Sequence, residues 1–294
     1  MYINNNSMAT NVANTLTSHY SDLKTSTERL STGLRVNSAA DDAAGLAIRE
    51  LMRTDITALQ QGVRNANDAI SLLQTADGAL AVIDEKLTRM KELAEQAATG
   101  TYDSTQRLMI ESEYQAMASE ITRIANATDF NGIHLLDGNL SSDTHVGSGM
   151  TSTGKMKIHF GSANDSAEDY YYIQIGSSTA SSLGVGNEAT GTDGMTISTQ
   201  EAAQKALVAV TNAVVSKDKI RAHLGALQNR LENTVSNLTT QAENLQAAES
   251  RISDVDVATE MTQFVRNQIL TQSSVAMLSQ ANSMPKMAMQ LIGG

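Results

Sequence analysis

The side chains best suited to chemistry are few and dispersed along this chain of 294 residues. His19, His134, His145, His159 and His223 could act as bases or metal ligands, yet none belongs to an HExxH motif or to another pair at helical ligand spacing. Cysteine is absent from the sequence, which removes thiol nucleophiles, thiolate metal sites and disulfides together. Asp41-Asp42 and the pair Asp77 and Asp84 supply carboxylates with no nucleophile or base placed beside them, so they read as capping or solvated groups. Gly184, Gly186, Gly191 and Gly194 lack the Gly-Lys-Ser/Thr of a phosphate loop and read as turns. No catalytic, cofactor or metal site is expected. The function must therefore lie in what the long elements build.

Those elements carry a seven-residue apolar repeat at both ends of the chain. Leu224, Leu231, Leu238, Leu245 and Ile252 fall seven apart, and Ile220 and Leu227 supply a second line at 3-4 spacing. Early in the chain Met52, Leu59, Ala66, Leu73, Leu80, Leu87 and Ala94 repeat the pattern, with Ile56, Val63 and Ile70 beside them. Asp77 and Asp84 then occupy places where the second line needs apolar groups, and Ala76, Ile83, Met90 and Ala97 take it over. The seam is expected to slip by one residue there and rotate, which favours a bundle of three or more helices over a two-stranded rod. Helices of about 50 residues reach about 75 Å, too far for local chain to cover, so the N- and C-terminal regions must pack on each other.

Composition points the same way. The chain has 14 Met beside 3 Phe, 7 Tyr and no Trp, an inventory that suits helix seams better than a large enzyme core. Pro285 is its one proline, which leaves long helices unbroken. A net charge of -11 argues against nucleic acid or anionic membrane as partner. No stretch approaches 18 consecutive apolar residues, so no membrane insertion is expected, and the first 30 residues lack the layout of a cleavable secretion signal. Composition alone fits a cytoplasmic protein.

Along the chain, Val12, Leu16, Leu23 and Leu30 mark a weak N-terminal helix that needs a partner, and residues 37–45 read as a connector. The first strong helix follows to about Thr99, with Gly100 as its stop. A second opens at Asp103 or Ser104, presents Ile110, Tyr114, Met117, Ile121 and Ile124, and ends before Asp129, Asn131 and Gly132. Residues 129–198 are rich in Gly, Ser, Thr, Asp and Asn and hold β-type runs at 155–160 and 170–175, so a β-hairpin is expected. Ser178 in this insert is expected to tolerate aspartate. Helix resumes at Ile197, breaks at Ser253-Asp254, and a weaker last helix carries Met261, Phe264, Val265, Ile269, Leu278 and Leu291. The predicted fold is mainly α: a long antiparallel helical bundle or coiled coil formed by the N- and C-terminal regions, with a small β-hairpin insert.

One stretch is specific enough to name a family. Leu30-Ser-Thr-Gly-Leu-Arg-Val-Asn-Ser-Ala-Ala-Asp-Asp-Ala-Ala-Gly-Leu-Ala-Ile48 closely resembles the N-terminal signature of bacterial flagellins. Phe130-Asn-Gly132 with Leu135-Leu136, the run from Leu224 to Leu231, Asn237-Leu238, Ser250-Arg-Ile-Ser-Asp254 and Ala258-Thr-Glu260 fit the same family in order and spacing. The resemblance implies a homopolymer, a helical filament used for swimming. It divides the chain into a terminal inner-tube coiled coil from residues 1–42 and 256–294 and an outer-tube bundle from 43–255 that includes the insert. It also implies export, unfolded, by the flagellar type III route, and a secreted, extracellular place in the filament. The flagellar cap, hook-junction proteins and an export chaperone are implied partners. Arg89, Leu93 and Gln96, with Glu113, match positions by which similar flagellins are recognised by the vertebrate Toll-like receptor for flagellin, a surface that relatives also use between subunits. The alternatives are a hook-filament junction protein of the same family and, from other classes, a surface adhesin or an enzymatic flagellin. The short insert and missing HExxH speak against the last.

Overall fold

The computed structural model describes residues 6–146, 153–165, 168–186 and 196–292; Gly191, Gly194 and the side chain of Leu291 lie outside what is described. Among the described residues the helices are α1 (Ser7–Thr32), α2 (Ala43–Ala98), α3 (Ser104–Ala127), α4 (Gln200–Ser253) and α5 (Val257–Ile292). Short strands lie between α3 and α4: β1 (Asp129–Phe130), β2 (Ile133–His134), β3 (His145–Val146), β4 (Thr153–Gly154), β5 (Met156–His159) and β6 (Tyr170–Ile173). Two compact units result, Met1–Ile56 with Glu243–Gly294, and Thr57–Ala242. This mainly helical architecture with small antiparallel strand pairs is the one the sequence predicts.

Helix ends follow from local chemistry. Asn6 accepts the amide of Ala9 to open α1, and Gly33, at φ 73°, closes it in the left-handed conformation that a side chain resists. Asp42 accepts the amide of Gly45 at the start of α2. Asp103 and Gln106 form a reciprocal capping box on α3. Asp256 accepts from Ala258 and from the Thr259 hydroxyl to open α5, and those bonds, the hydroxyl's first, hold its carboxyl below the usual range. Asp41 is held low chiefly by the amide of Ser38. Asp42 is thus a capping group, as the sequence suggests, while Asp41 closes the preceding turn.

In the first unit the two ends of the chain meet. Asn6 Nδ2 donates to the Ala281 carbonyl at one end of the α1–α5 pair, and Arg29 lies 3.8 Å from Glu260 near the other, so the helices run antiparallel. Where α1 stops and α5 begins, the two connectors bond to each other: Arg35 N to Ser253 O at 2.6 Å and Val255 N to Gly33 O at 3.0 Å.

In the second unit a single core joins α2, α3, α4 and the insert. On α2 the buried line is Leu59, Ala66, Leu73, Leu80, Leu87 and Ala94, and the second line is Ala69, Ala76, Ile83, Met90 and Ala97, led by buried Gly62. The expected slip at Asp77 therefore does not occur. The 3-4 register runs unbroken from Gly62, and Val63 and Ile70 flank it half-buried. Gly62 and Ala69 are small because something must come close: a Cβ on Gly62 would lie 1.9 Å from the Phe160 carbonyl oxygen, and Asn65 Nδ2 donates to His159 O at 2.8 Å. The β5–β6 hairpin is docked there. From α4, Arg230 lies 3.5 Å over the Tyr171 ring. Between β1 and β2, Asn131 and Gly132 both take positive φ, the backbone of a two-residue hairpin turn.

Two details correct or refine the sequence reading. Ser178 is 0% exposed, its amide bonds to Leu136 O, and its hydroxyl has no partner among the described residues. An aspartate there would bury an unpaired charge, so tolerance is not to be expected. On α4, Leu224, Leu231 and Leu238 are buried, whereas Leu245 is half-buried and belongs to the first unit. A Leu231→Ala chain is accordingly expected to lose about 2 to 5 kcal/mol in urea unfolding and Leu245→Ala about 1 kcal/mol or less; equal losses would show the core is not graded in this way.

Candidate functional site

Asp77 and Asp84 do not cap a helix; partly open to water, they pair with cations of another helix. Asp77 accepts from Arg221 Nε at 2.7 Å and Nη2 at 3.1 Å, and Asp84 lies 2.5 Å from Lys217 Nζ, so two carboxylates of α2 pair with two cations of α4. Going up α2 by seven residues takes the partner down α4 by four, which fixes these helices as antiparallel. The Lys217 side chain is only 2% exposed and also reaches Asp218 at 2.8 Å. A buried ammonium is tolerated because both carboxylates remain partly open to water. The pairing was hidden in the sequence because the partners lie 133 and 144 residues away.

The α2–α3 turn brings together the candidate recognition residues. Arg107 donates to the carbonyls of Ala97 and Thr99, closing the end of α2 and folding α3 back along it. Arg89 Nη2 then lies 2.8 Å from Glu113 of α3, while Nη1 reaches Glu92 at 2.9 Å. The bond to Glu113, followed by that to Glu92, raises the pKa of the guanidinium. Gln96 is exposed and donates to the Tyr102 hydroxyl. Leu93 departs from the expectation: at 2% exposed it sits in the core between Met90 and Ala94, beneath the polar patch and not on it. Its place was readable from the Met90–Ala97 line, which brings position 93 to the buried side.

The terminal unit presents the opposite arrangement to an ordinary amphipathic pair. Leu16, Leu23 and Leu30 of α1 are half-buried, and α5 turns Glu260, Phe264, Asn267, Thr271, Ser274, Leu278 and Ala281 inward at 4-3 spacing. Much of that line is polar or small. Met261 and Ile269, named with it from the sequence, are exposed, together with Val257, Val265, Leu270, Val275, Met277 and Met287. On α1, Met8 and Tyr20 are exposed as well. Apolar surface of this extent on one pair of helices marks an interaction site. Ser26, Thr271 and Ser274, buried in the seam, were missed by a search for apolar residues.

His145 and His159 flank the Tyr170 and Tyr172 rings of the hairpin. Among the described residues no cluster of three His, Cys, Asp or Glu could hold a metal, and no helix is long and apolar enough to cross a membrane.

These features define a helical subunit whose chain ends pair and whose paired ends expose apolar surface for further association. Comparison with known proteins fixes the family. Residues 3–141 match the bacterial flagellin N-terminal helical region and residues 207–292 the bacterial flagellin C-terminal helical region. The chain is 40% identical to a flagellar filament 33 kDa core protein of Treponema phagedenis, over 99% of this chain and 100% of that one. It is also 40% identical to a flagellin of Bacillus subtilis, with the same coverage. A solved structure assigned to a flagellar hook-associated protein of Vibrio parahaemolyticus shares the fold, with a TM-score of 0.56 at 14% identity, over 73% of this chain and all of the other. The chain belongs to the bacterial flagellin family.

The buried pairing makes a test that separates charge from packing. Asp84→Ala removes one of the carboxylates facing the Lys217 ammonium and should cost about 2 to 3 kcal/mol, whereas Lys217→Met, which fills the same space without charge, should stay within about 1 kcal/mol of the parent. Urea midpoints at pH 7 measure both, and the reverse ranking would refute the assignment.

Proposed function

We propose that the terminal unit is the assembly element of this subunit and that the second unit is the body it carries. The chain is a structural subunit of the flagellar filament and works outside the cell as part of it. The observation that carries the assembly reading is the outward apolar face of α5, which turns a line of largely polar and small residues with Phe264 and Leu278 inward and leaves Met261, Val265, Ile269 and Met277 for other chains. Copies of this chain are the first partner. In this reading residues 1–42 and 256–294 form the inner tube and 43–255 the outer one, and the role is structural, not enzymatic. The cap, the hook-junction proteins and an export chaperone would meet the same apolar ends. The hook-filament junction alternative is not favoured, because the 40% relatives are filament proteins while the hook-associated likeness is one of fold.

A second role has its own observation. Arg89, Gln96 and Glu113 stand exposed on one face of α2 and α3, held by the Arg89–Glu113 pair, with Leu93 as buried support. An exposed ion pair contributes little to stability, so its partners can be exchanged for those of another protein. This is the face proposed for the Toll-like receptor.

Deleting residues 257–292 should leave a helical protein that no longer sediments as polymer after seeding with filament fragments; sedimentable filaments from the truncated chain would end the assembly reading. For the receptor, monomeric Arg89→Ala should raise the half-maximal dose on reporter cells about tenfold or more, and Glu113→Ala less, with circular dichroism unchanged. An unaltered dose response for the arginine variant would remove the receptor role and leave the filament role standing.

A further inference from the structure

We propose that the outward face of the terminal helices is an oxidation-gated assembly surface: peroxide converts Met8, Met261, Met277 and Met287 of the free subunit to sulfoxides and so excludes it from the polymer. The proposal rests on the assembly reading above. It starts from the distribution of methionine. Among the described residues the exposed ones are Met8 at 58%, Met109 at 70%, Met261 at 44%, Met277 at 57% and Met287 at 48%. All but Met109 belong to the terminal unit. Met90, by contrast, is at 0% in the bundle core. With cysteine absent, the thioethers are the sulfur that an oxidant meets.

Their placement gives the oxidation a consequence. Met261 begins a line that continues through Val265 and Ile269 at four-residue spacing, and Met277 follows Leu270 by seven, so these sulfurs sit within the apolar stripe. A flexible, polarisable thioether adapts to an irregular partner surface, which suits a contact made anew with each subunit added. In the reaction a sulfur lone pair attacks one oxygen of hydrogen peroxide. The S–O bond forms, the O–O bond breaks, sulfur is oxidised by two electrons, and the second oxygen leaves as water after taking the proton. The product is polar and chiral, and covering it with an apolar neighbour strands a strong acceptor. Once subunits are packed, the same sulfurs are out of reach. Methionine sulfoxide reductases inside the cell can restore a subunit that has not left it.

The test uses the wild-type chain. Monomer treated with substoichiometric hydrogen peroxide is seeded with filament fragments, and polymer and supernatant are compared by peptide mass. Sulfoxide at positions 8, 261, 277 and 287 should be about tenfold enriched in the supernatant, with sulfoxide at Met109 distributed evenly. Even distribution at all five sites overturns the proposal. A second arm treats the M8L/M261L/M277L/M287L chain with excess peroxide and reads its polymer yield as a fraction of its own untreated yield: that fraction should stay near one, while the same fraction for the wild type falls about tenfold. If both fail equally, the damage lies elsewhere and the proposal is wrong. If oxidised wild type assembles normally while the chain lacking residues 257–292 does not, the gate is refuted and the assembly reading survives; if that shortened chain assembles too, the assembly reading itself has failed.

Discussion

A helix of 56 residues cannot hide its apolar side beneath its own flanking loops, and much of this architecture answers that constraint. At 1.5 Å per residue α2 is about 84 Å long, and the other helix of comparable length among the described residues, α4 with 54 residues, does not begin until Gln200, long after α2 has ended at Ala98. The chain must therefore return on itself, and the return brings its two ends side by side. α3, folded back by the Arg107 bonds to the end of α2, completes the bundle where the insert leaves room for it.

Charge then fixes what hydrophobicity leaves free. A seam of Leu and Ala can slide by a heptad at modest loss, but Asp77 and Asp84 meet Arg221 and Lys217 in one alignment only. Four cations of this acidic chain stand at helix–helix contacts: Arg29 with Glu260, Arg89 with Glu113, and the two on α4. Of these side chains only Lys217 is nearly closed to water, and its carboxylate partners stay partly open. The other pairs are partly open as well, and the terminal seam mixes polar residues with Phe264, Leu278 and the half-buried leucines of α1.

What could be read from the sequence was what repeats. The leucines of α2 and α4 announce themselves at seven-residue spacing, and the capping roles of Asp42 and Asp103 follow from their place before a helix. Gly62 escaped because a glycine carries no hydrophobic signal, although the close approach of Phe160 makes it a fixed point of the core. Ser178 looked like surface because serine usually is; only the path of the insert past Leu136 buries it. On α5 the inward heptad is regular, but Glu260, Asn267, Thr271 and Ser274 occupy it, and a reader looking for apolar residues follows Met261 and Ile269 to the wrong side. The patch proposed for recognition was half legible: Arg89 and Glu113 meet as their placement on neighbouring helices requires, while Leu93 obeys the core register.

The bond from Asn6 to Ala281 spans 275 positions of chain, and it sets an order in time. Contacts this distant form late, because the whole intervening length must be present before they can close. As the polypeptide emerges from its N-terminus, α2 and α3 can find each other while α5 does not yet exist. α1 has to wait for a partner that arrives among the last residues made. A chain that stops short of α5 can thus still hold the core of α2, α3, α4 and the insert, while its α1 is left without the helix that covers it.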